Sequence, residues 1–143
     1  MPIRQLLLFL GLSFFQFFQA QIRLPKLISD GMVLQRDLPI QIWGWAAPEE
    51  AIGLKFIGKI YQAQANSNGE WQIALPSLPH GGPYKMILKA SNIIELKNIL
   101  IGDVWIASGQ SNMAYEMFKS NRIYSRDIQN ANNPYIRHFL VPK

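Results

Sequence analysis

The side chains of the stretch Ile40-Gln41-Ile42-Trp43-Gly44-Trp45 alternate with a period of two. Positions 40, 42 and 44 share one face of a pleated strand, and positions 41, 43 and 45 share the other. We therefore predict a β-strand here, and the same period locates the strands around it.

Similar alternation recurs along the chain at residues 52–57, 71–75 and 86–90. The residues Asn66-Ser67-Asn68-Gly69 precede the second of these stretches, and Asn-Gly is a strong hairpin signal because both residues tolerate positive φ. A further turn signal, His80-Gly81-Gly82-Pro83, introduces the third. Roughly six short strands separated by turns predict an antiparallel β-sandwich-like module or a small barrel.

The composition favours a packed core and excludes several kinds of site. Of the 143 residues, 49% are hydrophobic and 16% are charged, which excludes a disordered polar tail. The net charge of +5 is spread along the chain, so no nucleic-acid partner is expected. The chain has no cysteine, and its histidines and carboxylates lack metal-ligand spacing. We expect no metal and no cofactor.

Residues 1–20 have the order of a secretory signal peptide. Arg4 precedes a mainly apolar stretch from Leu6 to Phe18, and the small residue Ala20 stands before Gln21. The alternative is a buried or membrane-spanning helix, but a span needs about 20 apolar residues. We predict cleavage near Ala20, a secreted or periplasmic chain, and no membrane association after cleavage.

From Ile99 onward the pattern changes. Residues 99–106 form an almost continuous apolar run, typical of a strand buried on both faces of a mainly parallel sheet. Residues 113–132 have apolar side chains at roughly helical spacing, and 136–141 are predicted to form a second strand. Strand, helix and strand make one βαβ unit, and one strand pair cannot cover both of its faces. We therefore predict a module over 21–98 and a truncated α/β domain over 99–143.

The residues that carry chemistry are Gly109-Gln110-Ser111-Asn112-Met113, after the predicted strand. A serine at a strand-to-helix turn is exposed, and a helix N-terminus favours the negative charge of a tetrahedral intermediate. These are requirements for a nucleophile. The alternative is that Ser111 only caps the helix, which is a common role of serine. The motif is not the Gly-x-Ser-x-Gly elbow, because Met113 replaces the final glycine.

Several segments together resemble the sialate O-acetylesterase family. They are Ser29–Arg36, Ile42–Ala46, Gly81–Tyr84, Ile101–Met113 and Pro134–Phe139. Ser111 lies in the segment Ile101–Met113. The resemblance covers essentially all of 22–143, and its most specific part is the block IGDVWIASGQSNM.

The resemblance implies a fold, an activity and a set of site residues. The expected fold is mixed: an amino-terminal antiparallel β-sandwich-like module, then the first βαβ unit of a flavodoxin-like SGNH hydrolase domain. The implied activity is removal of O-acetyl groups from sialic acid or a related acetylated glycan. Ser111 matches the nucleophile of the family, and Gly109, Gln110 and Asn112 match the turn that presents it.

The family's general base is a histidine in an Asp-x-x-His arrangement near the carboxyl end. Ser77 stands three residues before His80, and Tyr135 stands three before His138, so neither histidine has that pattern. Serine is a weak nucleophile without such a base. We therefore expect this chain to be inactive alone, and its unburied apolar faces to promote self-association.

The second hypothesis is a secreted, non-catalytic β-sandwich module that binds a ligand or serves a structural role, with residues 99–143 as a tail. Trp43, Trp45 and Trp71 could stack on a sugar in such a module. Aromatic residues on strands are more often core residues or cross-strand pairs.

Overall fold

The computed structural model describes residues 21–110, 113 and 115–141. The strands are β1 Val33–Gln35, β2 Ile40–Trp45, β3 Ala51–Phe56, β4 Lys59–Gln64, β5 Glu70–Leu75, β6 Gly81–Lys89 and β7 Ile93–Gly102. A 3-10 helix, Met117–Ser120, leads into helix α1, Asn121–Asn130, which is kinked at Tyr124. The predicted signal peptide, 1–20, lies outside the described residues, as do Ser111 and Asn112.

The strands form two sheets. One has five strands in the order β1-β7-β6-β3-β4, and the other pairs β2 with β5. The strand pairs are antiparallel except for β1 and β7, which run parallel. Buried side chains from both sheets form a single core cluster, which agrees with the predicted β-sandwich-like module.

The alternation that predicts β2 also sets the core. Ile40 and Ile42 of β2 are buried, whereas Trp43 and Trp45 point to the outer face. Other strands supply buried residues in the same alternating way: Ile52, Leu54 and Phe56 in β3, Trp71, Ile73 and Leu75 in β5, and Met86 and Leu88 in β6. Period-two patterning therefore fixes which face of each strand meets the other sheet.

Gly44 is required by a close approach of two backbone segments. Arg23 and Trp45 exchange backbone hydrogen bonds of 2.7 and 2.9 Å, which lays the segment before β1 along the edge of β2. A Cβ atom added at Gly44 would lie 2.3 Å from the Arg23 carbonyl oxygen and 2.9 Å from the Trp71 ring. Any larger residue would force these segments apart.

The Asn66–Gly69 turn is present, but it does not make the expected hairpin. The Asn66 side-chain oxygen accepts hydrogen bonds from the backbone N–H groups of Asn68 and Glu70, both at 2.9 Å. Strands β4 and β5, on either side of it, belong to different sheets. The local signal identifies a chain reversal and does not specify the partner strand.

A tight hairpin instead joins β3 to β4 at Ile57 and Gly58, whose φ angles are +44° and +72°. The alternation at 52–57 places Ile57 inside a strand, and that prediction is wrong. Positive φ at both central residues is the geometry of a two-residue hairpin turn, and it is unfavourable for a β-branched residue.

The predicted βαβ unit is not confirmed. Residues 99–102 are the end of β7, paired with β6 and β1 in the module's own sheet, and β7 runs through the predicted boundary between 98 and 99. Within the described residues, 103–110 and 136–141 form no strand. The predicted helix over 113–132 corresponds in part to the 3-10 helix and α1. The apolar run at 99–101 reflects burial within the mixed sheet, where all three side chains are buried.

No helix in the part of the chain that the structure describes has the length and apolar character needed to cross a bilayer.

Candidate functional site

Two of the segments that carry the family resemblance lie side by side. Strand β1 runs parallel to the end of β7, so that Val33 faces Leu100 and Gln35 faces Gly102. The backbone N–H of Arg36 donates to the Gly102 carbonyl at 2.9 Å and extends this pairing by one residue. The SDGMVLQR and IGDVW stretches therefore form one structural unit, although they are far apart in sequence.

Side chains at the end of β1 hold the residues that follow β7. The Gln35 amide oxygen accepts a hydrogen bond from the Val104 N–H at 2.9 Å. The Arg36 guanidinium contacts Asp103 at 2.8 Å and Asp37 at 3.0 Å. The hydrogen bond and negative charge of Asp103, with a smaller effect from Asp37, raise the pKa of Arg36 above its ordinary value. The chain leaving the sheet toward Ser111 is thus fixed at its first two residues.

A third segment of the resemblance, Pro134–Phe139, contacts the region of β1 and β7 through Arg137. Its Nη1 atom donates to the Gly31 carbonyl at 2.8 Å and also to the Asn98 carbonyl. Its Nη2 atom donates to the Asn98 side-chain oxygen at 2.8 Å. Gly31 and Asn98 have φ angles of +75° and +57°, so Arg137 binds at two backbone positions in the left-handed region, one before β1 and one within β7. Sequence reasoning placed Pro134–Phe139 in the resemblance but gave Arg137 no role.

An open cavity of about 970 Å³ lies between these segments. Both histidines line it: His80 from the turn before β6, and His138 from the segment after α1. Asp30, Asp103 and Ala107 also contribute to its wall. The structure therefore brings the two histidines to the stretch that leads to Ser111, and both are solvent-exposed.

The predicted nucleophile turn is described in part. Gly109 and Gln110 are exposed, and the Met113 N–H donates to the Gln110 carbonyl at 2.9 Å. A Cβ atom added at Gly109 would lie 2.7 Å from Cγ of Met113, so glycine suits this position. Ser111 and Asn112 lie outside the described residues, and their roles stay predictions.

The three tryptophans considered for sugar stacking divide into two groups. Trp71 is buried in the core, as expected for an aromatic residue on a strand. Trp43 and Trp45 lie on the outer face of β2 with 36% and 38% of their surface exposed. Their cross-strand partners on β5 are Gln72 and Glu70. Only this pair is available to a ligand among the three.

Glu50 is a structural carboxylate that sequence reasoning did not single out. Its two oxygens accept hydrogen bonds from the backbone N–H groups of Ala47, at 2.8 Å, and Ser91, at 2.7 Å. Partial burial alone would raise the pKa of Glu50, but the hydrogen bonds from Ser91 and Ala47 outweigh it and lower the pKa below its ordinary value. The contact joins the start of β3 to the turn between β6 and β7.

Within residues 21–110, 113 and 115–141, no three His, Asp or Glu side chains lie close enough together to hold a metal ion.

Comparison with known proteins supports the resemblance drawn from the motifs. No family model matches the chain. Human sialate O-acetylesterase is 29% identical over 64% of this chain, and the mouse protein is 30% identical over the same share. The crystal structure of a carbohydrate acetylesterase from Xanthomonas citri superposes with a TM-score of 0.73 and 37% identity.

The matched region is a small part of each of these proteins. It covers 78% of this chain but 26% of the Xanthomonas citri structure. The chain spans about a fifth of the length of the curated relatives, with 20% of the human protein and 19% of the mouse protein covered. Within that span, these matches support the sialate O-acetylesterase family, with the chain corresponding to a fragment of such a protein.

Proposed function

We propose that this chain is the amino-terminal portion of a secreted carbohydrate O-acetylesterase that acts on O-acetylated sialic acid or a related acetylated glycan. The observation that carries the proposal is the meeting of three family segments around one cavity: β1 with Arg36, the end of β7 with Asp103, and the segment with Arg137. The names of the human and mouse relatives supply the substrate class.

In the proposed reaction, the Ser111 hydroxyl attacks the acetyl carbonyl carbon of the substrate. A general base takes the serine proton. The bond between the acetyl carbon and the sugar oxygen then breaks, and the sugar leaves as an alcohol after protonation of that oxygen. Water then attacks the acetyl-serine, releasing acetate and restoring the hydroxyl. Gly109, Gln110 and Asn112 form the turn that presents Ser111, and the Ser111 N–H donates to the oxyanion.

The same proposal makes the chain inactive alone. His80 and His138 line the cavity, but neither is preceded by aspartate in the Asp-x-x-His pattern. An imidazole that is not oriented by a carboxylate is a poor base for a serine hydroxyl. The base is expected from an Asp-x-x-His arrangement, which these 143 residues do not contain.

Acetate release from O-acetylated sialic acid tests both parts. The esterase purified from its own cells is expected to release acetate, with activity lost in Ser111→Ala and retained in Ser108→Ala, a matched control three residues away. The chain 21–143 alone is expected to release none. Equal loss in both serine variants, or activity that survives Ser111→Ala, would contradict the assignment of the nucleophile. Release by 21–143 would contradict only the need for a further base.

Export of the protein from the cell is a separate part of the proposal. Export through residues 1–20 should give a mature chain that begins near Gln21. Amino-terminal sequencing of exported material checks this, and a chain that still begins at Met1 would contradict it.

We further propose that the chain 21–143 associates with itself through its exposed apolar residues. Trp105 and Ile106 are 87% and 95% exposed, and Leu140 and Val141 are also exposed. Exposed apolar surface of this kind favours association in water. Sedimentation is expected to show oligomers whose fraction falls in Trp105→Ser, and a monodisperse monomer would contradict the proposal.

A non-catalytic, glycan-binding module is the second candidate, and the outward placement of Trp43 and Trp45 favours it. Two indole rings two residues apart on one strand face, beside Gln72 and Glu70, provide an apolar surface with polar neighbours. This function predicts glycan binding by 21–143 that is lost in Trp43→Ala and kept in Ser111→Ala. Binding that is unchanged in Trp43→Ala, or no binding by the parent chain, would exclude it.

A further inference from the structure

We propose that Arg137 is a positioning residue that, together with Gln35 and Arg36, fixes both ends of residues 103–137 beside the paired strands β1 and β7 and so determines where Ser111 is presented. We call residues 103–137 the excursion. The catalytic consequence rests on the proposed function of Ser111, whereas the anchoring itself does not.

The first anchor lies where the excursion begins. Val104 N–H donates to Gln35, and Asp103 forms an ion pair with Arg36 at 2.8 Å. Gln35 is the last residue of β1, which pairs with β7, and Arg36 follows it with its own backbone hydrogen bond to Gly102. The sheet therefore fixes the position of the first residues of the excursion.

The second anchor lies where the excursion ends. Arg137 donates to two backbone carbonyls, those of Gly31 and Asn98, and to the Asn98 side chain. Arginine suits this role because its planar guanidinium presents several donors in a fixed geometry, which lysine cannot do. Gly31 lies two residues before the first residue of β1, and Asn98 lies within β7.

The two anchors converge on one short stretch of chain. Gly31 and Arg36 are five residues apart, a distance of at most about 18 Å along an extended chain. Pinning both ends of the excursion at this separation removes many of the conformations that one tethered end would allow. No residue of the described excursion belongs to the buried core, so we expect loss of the anchors to free the excursion with little effect on the core.

Cysteine-free sequence makes the anchoring directly measurable. Lys59→Cys, at the start of β4, places one nitroxide label on the module, and Gln129→Cys, in α1, places the other on the excursion. Both positions are exposed. Double electron–electron resonance then reports the distribution of distances between module and excursion. With the labelled chain diluted in unlabelled chain, so that self-association adds no distances between labels, the parent is expected to give one narrow distribution. Arg137→Ala is expected to broaden it at least twofold, and Arg137→Lys to give an intermediate width.

Two further variants separate the contact from general effects of substitution. Asn98→Gly removes one acceptor of Arg137 while tolerating the positive φ, so it should broaden the distribution less than Arg137→Ala and add little to it. Arg126→Ala, at an exposed arginine of α1, is the matched control and should leave the width unchanged. The thermal midpoint of the module should be the same in all of them. A parent distribution as broad as that of Arg137→Ala, or an Arg137→Ala distribution as narrow as the parent's, would overturn the proposal.

The catalytic arm uses the esterase purified from its own cells. A displaced nucleophile impairs the chemical step, so Arg137→Ala should lower kcat up to about 100-fold with little change in KM, and Arg137→Lys should restore part of it. Arg126→Ala should retain full activity. An unchanged kcat in Arg137→Ala would overturn the positioning role. Because the distance measurement is expected to give the same result in Ser111→Ala, failure of the Ser111 assignment leaves the anchoring independently testable.

Discussion

The module up to Gly102 and the excursion after it contain similar kinds of side chain and use them in opposite ways. In the module, Leu54 and Ile42 are completely buried between two sheets. In the excursion, Ile106 is 95% exposed, and the buried hydrophobic residues of the described chain all lie between Ile22 and Ile101. Apolar side chains thus stabilise the folded state only where strand alternation buries them against side chains of the facing sheet.

What holds the described part of the excursion to the module is polar. Gln35, Arg36 and Arg137 make directional hydrogen bonds at its two ends. Directional contacts define position well and add little to the free energy of unfolding when they are exposed to solvent. Polar contacts therefore position the residues expected to carry chemistry, whereas apolar burial stabilises the fold.

The largest expected effect tests the core. Leu54→Ala removes a completely buried side chain, and we expect a loss of about 2 to 5 kcal/mol in the free energy of unfolding. Ile106→Ala, the matched control in the excursion, should change it by no more than about 0.5 kcal/mol. Urea unfolding of the purified chain followed by circular dichroism measures both. Similar losses in the two variants would remove the contrast between the regions.

The next effect tests the close approach at Gly44. Gly44→Ala would bring a methyl group against the Arg23 carbonyl and the Trp71 ring, with an expected loss of about 1 to 3 kcal/mol. Gly53→Ala, in β3, is the control, because its Cβ would lie 3.7 Å from the Lys89 carbonyl oxygen in ordinary contact. Thermal unfolding should show a clear decrease for Gly44→Ala and little change for Gly53→Ala. The reverse order would contradict the packing of Arg23 on β2.

A smaller effect depends on pH. The lowered pKa of Glu50 means that the unfolded state takes up its proton first as the pH falls. Its stabilisation is therefore present above the unfolded pKa of about 4.3 and is lost as the pH falls toward the folded value. Glu50→Gln removes the charge from both contacts and leaves one of the two backbone N–H groups facing an amide NH2 group, which cannot accept. It should therefore cost about 1 to 2 kcal/mol at pH 7 and less at pH 3.

Chemical denaturation between pH 3 and pH 7 checks this, with Glu49→Gln at the neighbouring exposed position as the control. A stability difference between the parent chain and Glu50→Gln that is the same at both pH values would contradict the assigned role.

The smallest expected effect on stability lies at the start of the excursion. Asp103→Asn removes the charge that pairs with Arg36, but both side chains are well exposed to solvent. We expect no measurable change in the unfolding midpoint and faster amide hydrogen exchange at Val104, the adjacent residue bound to Gln35. Asp127→Asn, in α1, should change neither quantity. A large loss of stability in Asp103→Asn would show that this polar anchor also supports the core.

The module could be predicted from the sequence because its information is local. The alternation around Ile42 and the asparagine and glycine at the 66–69 turn report strand faces and chain reversal directly. The pairing of β1 with β7 was not predictable in this way, since nothing in either stretch specifies a parallel partner many residues away. For the same reason the apolar run at residues 99–106 predicted a new sheet, whereas its first residues complete the existing one.

For the candidate site, sequence motifs gave the residue identities and the fold gave their neighbours. The block around Ser111 was recognisable as a motif, but the role of Arg137 depends on carbonyl groups at Gly31 and Asn98. Backbone acceptors carry no residue-type signal, because every residue has a carbonyl. Such a contact becomes visible only when the chain is folded.

The parallel pairing of β1 with β7 has a consequence for the order of events during synthesis. Val33 and Leu100 are partners, and at the usual rates of translation their appearance is separated by roughly 3 to 13 seconds. Strand β1 therefore waits, unpaired along that edge, while the hairpin of β3 and β4 can already close. The anchors for the excursion form after this slow, long-range step, so the excursion is fixed to the module later than the hairpin of β3 and β4 closes.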